Sequence, residues 1–304
     1  MDALIAAPEL APYQTEPTQM RSGAVGKNGF LKLGFERRGT RTVLADLRRR
    51  TPLIAQRALY YDAAMPDLPC VMIISTAGGL LQGDRSAVEI ALADDCDAHV
   101  TTQSATKVQQ MDANFAAQTQ DIVLGERAYL EFLPEPTIPF RHARFASRTR
   151  IVLPASAALL YGEVVQAGRV HHAGGERFAF DVFSSSIAAQ RPDGRRLFAE
   201  KLVVEPAVRG VGNVAVMGSY EVFANVLFLA PPEAVARVHG ATPAEFDGAA
   251  RCAAGASRLP HDAGLVYKVV GMDRETVQAR VRTFWGRVRQ AVRGCPVPPP
   301  FLWR

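Results

Sequence analysis

The sequence predicts a mainly β protein with a large layered antiparallel β architecture and about two α-helices, one of them C-terminal. Three observations lead to this prediction. Short segments in which apolar residues alternate with other residues recur along most of the chain. Turn-forming residues separate these segments at close intervals. Few segments with helical periodicity lie between them, which argues against alternating β–α–β units.

The predicted strands begin near Gly29 and continue to the last quarter of the chain. Their alternating apolar residues fall on one face of a sheet, because successive side chains of a strand point to opposite sides. The predicted strand regions are 29–35, 41–47, 71–75, 87–93, 100–102, 115–124, 128–133, 144–153, 164–183, 197–205, 214–229 and 265–270. The regions 115–124 and 128–133 are expected to form a hairpin around Gly125-Glu126-Arg127.

Two segments have helical character, at residues 232–238 and, more clearly, at residues 273–292. In the second segment Asp273 is the expected N-cap and Gly294 the expected stop. Its apolar residues recur at steps of three or four: Val277, Val281, Phe284 and Val288. This spacing gives one apolar face. We favour a helix packed on the sheet over a helix that binds a partner.

The chain has 304 residues, a length that one large β domain can reach. Residues 1–22 are Pro-rich and acidic and predict a disordered tail, with a single β domain over residues 23–304. The tail lacks the basic start and apolar run of a signal peptide, and no apolar stretch could span a membrane. The four cysteines form no Cys-x-x-Cys pair, which favours reduced thiols. We therefore expect a cytoplasmic protein with no membrane partner.

The chain is basic, with a formal charge of +5 and a pI near 9.2. The arginines are dispersed, however, and no long basic tract with interleaved aromatic residues occurs. We therefore expect no nucleic-acid partner. One alternative remains open, in which the chain is a structural β module that binds acidic surfaces through its arginines.

Sequence motifs for catalysis are absent, and we expect a protein that is not an enzyme. The segment Gly26-Lys27-Asn28 lacks both the first glycine and the hydroxyl of a phosphate-binding loop. A Gly210-x-Gly212-x-x-Ala215 segment leads into β-like sequence rather than into a helix. Neither Gly-x-Ser-x-Gly nor His-Glu-x-x-His occurs. The alternative is a metal-dependent hydrolase on a β scaffold that uses Asp84, Asp94 and His99.

Two groups of residues could contact a metal ion. Residues 94–99 hold three aspartates and His99, but a solvated turn between strands is the favoured interpretation. His171 and His172 are weak candidates, because adjacent residues on a strand face opposite sides and would not readily share one ion. We expect no tightly bound cofactor and at most transient contact with nickel or zinc.

Three segments have a polarity that is unusual for their setting, and a fourth completes the pattern that they form along the chain. Gly78–Arg85 contains three glycines and an acid–base pair, and Thr101–Lys107 is a run of small hydroxyl residues that ends in a lysine. Leu133–Phe140 alternates prolines with apolar residues and an acid. The fourth segment, Gly168–Phe178, contains Gly168-Arg169 and Gly175-Glu176-Arg177-Phe178. Each segment alone would be interpreted as a turn or a hydrogen-bonded loop.

In this order and at these intervals, the four segments resemble the urease accessory protein UreD family, called UreH in some organisms. The matching patterns are Gly-Gly-x-x-x-Gly-Asp, Thr-Thr-x-x-Ala-Thr-Lys and Leu-Pro-x-Glu/Pro-x-Ile-x-Phe, followed by a Gly-Arg…Gly-Glu-x-Phe segment that is two residues longer here. The resemblance covers about residues 29–290. The chain departs from the family pattern at Ser75-Thr76-Ala77, where His-Pro-Pro is usual, and at Gln82, where a small residue is usual.

The resemblance implies a non-enzymatic role. Family members form a hetero-oligomer with the accessory protein UreF and, through it, with the nickel-carrying GTPase UreG. That assembly docks on apo-urease and assists delivery of nickel to its active site. The resemblance further implies a largely β, layered fold with two helices and polar interior residues that line a passage for nickel or water.

The implied passage or docking residues lie in three of the four segments. Asp84 and Glu176 are the expected acids, and Thr101, Thr102 and Lys107 are their expected polar neighbours. A metal chaperone must release its ion, which isolated carboxylates, hydroxyls and carbonyls allow more easily than a closed Cys/His site. The alternative, in which Asp84 and Lys107 form a structural ion pair, stays open.

Overall fold

The computed structural model of the chain describes residues 1–15, 26–172, 174–214 and 216–300. Within these ranges the chain is mainly β and forms two large sheets that face each other. Sheet A has seven strands, and sheet B has eleven. The mainly β, layered class that the sequence predicts is confirmed.

Eighteen strands are assigned in the described residues. In chain order they are β1 Asn28–Arg38, β2 Arg41–Arg50, β3 Leu53–Ala55, β4 Cys70–Ser75, β5 Arg85–Leu92, β6 Asp97–Thr102, β7 Thr106–Val108, β8 Ala116–Leu124, β9 Tyr129–Phe132, β10 Thr137–Pro139, β11 Arg144–Val152, β12 Ala158–Gln166, β13 Val182–Gln190, β14 Arg196–Val204, β15 Val222–Leu229, β16 Glu245–Asp247, β17 Cys252–Arg258 and β18 Gly264–Gly271.

The middle of the chain winds between the two sheets. Sheet A has the order β14-β13-β11-β8-β5-β1-β2, and sheet B has the order β16-β17-β18-β15-β12-β9-β6-β4-β3. Strands β5, β8 and β11 of sheet A are each followed in the chain by a strand of sheet B. Each circuit adds one strand to sheet A and one to the main strand order of sheet B, and it runs in the same direction as the circuit before it. Neighbouring strands in the middle of both sheets are therefore parallel, so the antiparallel arrangement that the sequence predicts is found only toward the edges of the sheets.

Antiparallel pairing occurs toward the edges of the sheets, where the chain turns back directly. It joins β1 to β2 and β13 to β14 in sheet A, and it joins β12, β15, β18 and β17 in sheet B. The hairpin expected around residues 125–127 is wrong, because β8 lies in sheet A and β9 in sheet B. Alternation of apolar residues specifies a strand and its buried face, but it does not specify the neighbouring strand.

The predicted strand region 164–183 contains an irregular loop. Strand β12 ends at Gln166 and β13 begins at Val182, so residues 167–181 connect the two sheets. The predicted region 214–229 is also shorter in the structure, where β15 begins at Val222.

Three α-helices are found in the described residues: α1 Asp2–Ile5, α2 Pro232–Gly240 and α3 Arg274–Arg293. Helices α2 and α3 confirm the two predicted helices. The Asp273 carboxylate accepts a hydrogen bond from the Thr276 amide at 2.7 Å, and Gly294 is left-handed with φ +69°, so both predicted ends are confirmed. The apolar face of α3 packs on the outer face of sheet B.

The first fifteen residues pack against sheet A, although the sequence predicts a disordered tail over residues 1–22. Helix α1 is followed by a 3₁₀ helix, Pro8–Tyr13. Leu4 and Leu10 are buried in a cluster with Phe115, the residue that precedes β8. Glu9 pairs with Lys201 at 2.9 Å. Residues 16–22 of the predicted tail lie outside the described ranges, which resume at residue 26.

Apolar side chains form separate layers. The largest cluster fills the space between sheets A and B near one end of the strands, and it includes Leu33, Ile90, Ile122, Ile151 and Leu229. A smaller cluster near the other strand ends contains Val108, Phe145, Val165 and Phe183. Between these two clusters the facing side chains of the sheets are largely polar, and the candidate site lies there.

Candidate functional site

A cavity of about 180 Å³ lies between sheets A and B. Its lining includes the exposed residues Gln103, Ser104 and Lys107, which mark an open end at the surface. The remaining lining comes from inward-facing residues of both sheets and extends to Glu163 and Phe183. A space of this size holds several water molecules. Polar groups inside the protein can therefore stay solvated there.

The three sequence segments of unusual polarity meet at the open end. Residues 78–80, 102–107 and 134–137 contribute to its lining. The Leu80 amide donates a hydrogen bond to the Lys107 carbonyl at 2.8 Å, and β7 pairs with β10 in parallel. Gly79 has φ +142°, and a Cβ atom there would lie 2.6 Å from the Lys107 carbonyl oxygen. Only glycine fits this close approach, which explains the glycine-rich segment beside the hydroxyl-rich one.

A row of four polar residues crosses the inner face of sheet A, and three of them, Ser86, Gln118 and Ser147, line the cavity. Ser86, Gln118, Ser147 and Ser185 lie directly opposite one another on β5, β8, β11 and β13. We call these four residues the polar row. Parallel strands in register place equivalent positions side by side, so one polar position per circuit gives a continuous stripe across the sheet. Ser86, Ser147 and Ser185 are each at most 5% exposed.

Glu163 on β12 faces the polar row from sheet B. Its carboxylate accepts hydrogen bonds from the Ser185 hydroxyl at 2.9 and 3.0 Å and from the Tyr161 hydroxyl at 2.9 Å. Burial raises the pKa of Glu163, and the hydroxyl donors offset only part of that effect. No cation is paired with Glu163 among the described side chains. A carboxylate in this setting attracts protons or other cations.

Two amide oxygens in the same layer are buried without a hydrogen-bond donor from the described residues. They belong to Gln120 on β8 and to Asn225 on β15, which are each 8% exposed. Gln120 lines the cavity, and Asn225 lies directly opposite Glu163 in sheet B. Buried polar atoms are rarely left unpaired, because each costs roughly 1–3 kcal/mol when it has no partner. These oxygens are therefore available to water or to a cation.

The donor set of the cavity consists of the Glu163 carboxylate, the Glu135 carboxylate near the open end, and neutral oxygens from hydroxyl and amide groups. Such oxygens bind a divalent cation weakly and reversibly. Within the described ranges no group of three or more His, Cys, Asp or Glu side chains is arranged to hold a metal ion. The arrangement can accommodate a hydrated cation in passage better than it can retain one.

The inner polar residues in and beside the cavity were not identified from the sequence. Glu163, Gln118, Gln120, Ser147 and Ser185 occupy positions that alternate with buried apolar or outward-facing residues in their strands. A polar residue at an inward position of a predicted strand is the signal that could have found them. That signal needs the inward face of each strand, and without the order of the strands the five residues could not be aligned.

A second polar cluster lies on the other face of sheet B, beneath α3. Arg289 is fully buried there and donates to both oxygens of Glu131 at 2.6 and 2.7 Å and to Asp62. The His99 Nδ1 atom lies 2.9 Å from Glu131, and the His99 ring stacks on Trp285. We call Asp62, His99, Glu131 and Arg289 the arginine cluster. Arg289 pairs with both carboxylates of the cluster, and these contacts anchor α3 to the sheet.

The sequence was compared with known protein families and proteins. Residues 27–304 match the family described as UreD urease accessory protein. The chain belongs to the UreD family. It is 53% identical over 297 residues to urease accessory protein UreD 2 of Brucella ovis, with 98% of each chain covered. It is 49% identical over 298 residues to urease accessory protein UreD of Yersinia pseudotuberculosis, with 98% of this chain and 93% of the relative covered. The resemblance found in the sequence is confirmed.

Asp84 of the UreD glycine-rich segment is buried beside the open end, outside the residues that line the cavity. Its two carboxylate oxygens accept hydrogen bonds from the amides of Lys27 at 2.8 Å and Leu81 at 2.9 Å. Among the described residues Asp84 makes no ion pair with Lys107, so the alternative of a structural pair between them is wrong. Asp84 thus joins the start of β1 to the glycine-rich turn.

Glu176 of the fourth UreD segment closes the loop between β12 and β13. Arg169 donates to both of its carboxylate oxygens, and the Arg141 amide donates to it at 3.2 Å. The Arg169 hydrogen bond outweighs burial and lowers the pKa of Glu176. At Gly168 a Cβ atom would lie 2.1 Å from the Glu176 carbonyl oxygen, which requires glycine at this position. Glu176 lies outside the described cavity lining.

The other predicted UreD site residues differ in position. Thr102 and Lys107 line the cavity at its open end. Thr101 points away from it, and its hydroxyl donates to the Leu133 carbonyl at 2.8 Å. His171 and His172 are exposed in the loop that Glu176 closes, rather than on a strand. The structure therefore brings Thr102 and Lys107 together and places Asp84, Thr101 and Glu176 in the surrounding frame.

The residues of the hydrolase alternative lie in separate networks. Asp84 accepts from backbone amides, and Asp94 accepts from the Glu126 amide at 2.8 Å. His99 belongs to the arginine cluster, where it contacts Glu131. These three side chains do not form a common site in the part of the chain that the structure describes. In the same ranges no helix is both long enough and apolar enough to cross a membrane.

Proposed function

We propose that this UreD-family chain is a cytoplasmic, non-enzymatic scaffold that assists delivery of nickel to apo-urease. In this proposal it acts in a hetero-oligomer with UreF and UreG, and nickel binds only transiently. The observation that carries the proposal is the polar cavity between the two sheets. The relatives of this chain are named urease accessory proteins, and this name supports a role in urease maturation.

The chemistry of the cavity supports the passage of a metal ion. Divalent nickel binds readily to imidazole and thiolate groups, and a site rich in those groups would retain it. The described cavity lining instead offers hydroxyl and amide oxygens and the carboxylates of Glu135 and Glu163. An ion that keeps part of its water shell can exchange one such oxygen for the next. Release to a tighter site in urease then costs little free energy.

The residues predicted from the sequence have two proposed roles. Thr102 and Lys107 are proposed to form the rim of the passage, where a partner protein docks. Asp84, Glu176 and Thr101 are proposed to hold the segments that form this rim. Each of the three is buried and hydrogen-bonded to neighbouring backbone or side chains. His171 and His172 remain exposed candidates for transient contact with nickel.

A matched pair of substitutions tests whether the cavity is used. Ser147→Leu adds a bulky apolar side chain to the polar row, whereas Ser186→Leu makes the same change on the outward face of the adjacent strand β13. Each variant would replace the wild-type chain in cells that carry a complete urease operon. Nickel per urease active site would be measured by elemental analysis of the purified enzyme. Capture of the variant chain would report on its assembly with UreF and UreG.

We expect Ser147→Leu to lower the nickel content of urease at least tenfold, while the accessory complex still assembles. We expect Ser186→Leu to retain the wild-type nickel content. Full nickel loading with Ser147→Leu would contradict a passage through the cavity. Full urease activation in a strain that lacks the chain would contradict the proposed function as a whole. Thermal unfolding of both purified variants excludes loss of folded protein as the cause.

A further inference from the structure

The space between the sheets has a second end, at which polar residues outside the cavity lining continue the polar layer to the surface. Beyond Glu163, sheet B continues with Asn225 on β15 and Lys268 on β18, and the three residues lie directly opposite one another in register. Glu200 on β14 faces them from the edge of sheet A. Directly opposite residues of neighbouring strands share one face of the sheet. A column of polar side chains therefore connects the inner end of the cavity to the surface.

Three side chains close this second end. The Asn225 amide donates to Glu200 at 2.7 Å, and the Lys268 ammonium forms an ion pair with the other oxygen of Glu200. The exposed fraction of the side chain is 55% for Lys268 and 22% for Glu200, whereas Asn225 is 8% exposed. Exposure thus rises from Asn225 through Glu200 to Lys268. Register and hydrogen bonds place these three side chains in line beyond Glu163.

Two features distinguish Asn225, Glu200 and Lys268 from residues that only stabilise the fold. The Asn225 amide oxygen is buried without a donor from the described residues, in a position between Glu163 and Lys268. The ion pair of Lys268 and Glu200 is half exposed, and pairs of that kind contribute only about 0–1 kcal/mol to stability. An apolar side chain at these positions would close the end more firmly. The observed residues close it reversibly.

We propose that Asn225, Glu200 and Lys268 form a cation-selective gate through which a hydrated divalent ion leaves the cavity. This inference rests on the proposed function, to which it adds an exit. A cation that has reached Glu163 replaces the Lys268 ammonium as the partner of Glu200. The amide oxygen of Asn225 then supplies a neutral ligand between the two carboxylates. The displaced ammonium is solvated at the surface, so charge balance at Glu200 is kept.

The gate can be tested in the purified full chain, without urease. The two ends of the polar row provide matched reporters, because Ser86→Cys and Ser185→Cys make the same small change near the open end and near the gate. Each thiol would be allowed to react with aminoethyl methanethiosulfonate, a small cation, or with its anionic sulfonatoethyl analogue. Mass spectrometry of peptides would separate the reporter from the four native cysteines.

We expect the Ser185→Cys thiol to react at least tenfold faster with the cationic reagent when Asn225→Ala or Lys268→Met is added. The rate of the Ser86→Cys thiol should stay unchanged. Glu200→Gln should remove the preference for the cationic reagent over the anionic one. Lys201→Met is the matched control, since Lys201 is adjacent to Glu200 but faces the N-terminal segment, where it pairs with Glu9.

Two results would overturn the gate. One is an unchanged rate at the Ser185→Cys thiol, and the other is an equal rise at both reporters, which general loosening of the fold would produce. The outcomes also distinguish the gate from the proposed function. Faster labelling together with normal nickel delivery by Ser147→Leu would retain the gate and reject the passage. Unchanged labelling together with blocked nickel delivery would retain the passage and reject the gate.

Discussion

Two glutamates on neighbouring strands of sheet B have opposite environments: Glu131 is fully buried, and Glu163 is half-buried beside the cavity. Glu131 on β9 faces α3, where Arg289, His99 and Tyr129 donate to it. Burial opposes its charge, but these partners lower its pKa to about 2. Glu163 on β12 faces the cavity, where its donors are hydroxyl groups and burial raises its pKa. The same residue type is thus held ionised on one face and left short of positive charge on the other.

The surroundings of an interior acid therefore show whether it stabilises the fold or is available for function. A structural acid has its charge balanced and its oxygens occupied by protein donors, as in the arginine cluster. An acid that serves a passage has a space beside it, neutral donors and unpaired oxygens nearby. Asp84 and Glu176, the acids that the sequence analysis selected, have the first kind of environment.

Arg289→Met should have the largest effect on stability. It removes the cation of the arginine cluster and leaves Glu131 and Asp62 buried without it, which typically costs about 3–5 kcal/mol. The exposed Arg274→Met on the same helix should change the free energy of unfolding by less than about 0.5 kcal/mol. Urea titration followed by circular dichroism measures both. Equal stabilities of the two variants would show that the arginine cluster does not anchor α3.

The pH dependence of stability should separate the two glutamates. The pKa of Glu131 is about 2 in the folded chain against an ordinary value of 4.5, so its contribution is present above pH 4.5 and is lost as the pH falls toward 2. This contribution is about 3 kcal/mol, at 1.36 kcal/mol for each pKa unit. Glu131→Gln should abolish it.

Glu163 should show the opposite sign. Its pKa is raised on folding, so its contribution is present below pH 4.5 and is lost as the pH rises through the folded value. Glu163→Gln should therefore be at least as stable as the wild type at pH 7. Unfolding by urea at a series of pH values measures both variants. A marked loss of stability in Glu163→Gln at pH 7 would mean that Glu163 is a structural acid.

Tyr161→Phe should have the smallest effect. It removes one hydrogen bond to Glu163 and a contact with the Thr149 hydroxyl at 3.1 Å, for about 1 kcal/mol. The control is Tyr267→Phe, whose ring stacks on Phe284 beneath α3. The pKa of Glu163 should rise further in Tyr161→Phe and stay unchanged in Tyr267→Phe. Carboxyl NMR of Glu163 at a series of pH values tests this; equal titration in both variants would assign Tyr161 no influence on the carboxylate.

Much of the fold could be predicted from the sequence, because strands and helices are marked by local patterns. The end signals of α3, Asp273 and Gly294, are local and were identified. The winding of the chain between two sheets could not be predicted, because it depends on which strands pair over long distances. Strand β17 is rich in alanine, glycine and serine, and it depends on pairing with β18 rather than on its own propensity.

The candidate site was predictable only at its rim. Thr102 and Lys107 belong to one segment with a recognisable composition, and the structure places them at the open end of the cavity. Glu163 and the polar row are single residues in separate strands, and only the parallel register brings them together. A local pattern carries no information on that register.

The proposal that the Glu163 carboxylate serves the passage of nickel can be tested by the nickel content of urease that is matured with Glu163→Gln. This variant keeps the shape of the side chain and removes its negative charge, so the fold should be retained. Urease would be purified from cells in which Glu163→Gln replaces the wild-type chain, and nickel would be measured per active site. We expect a folded accessory protein and a urease with at least tenfold less nickel at limiting external nickel. Wild-type nickel loading with the folded variant would contradict this proposal.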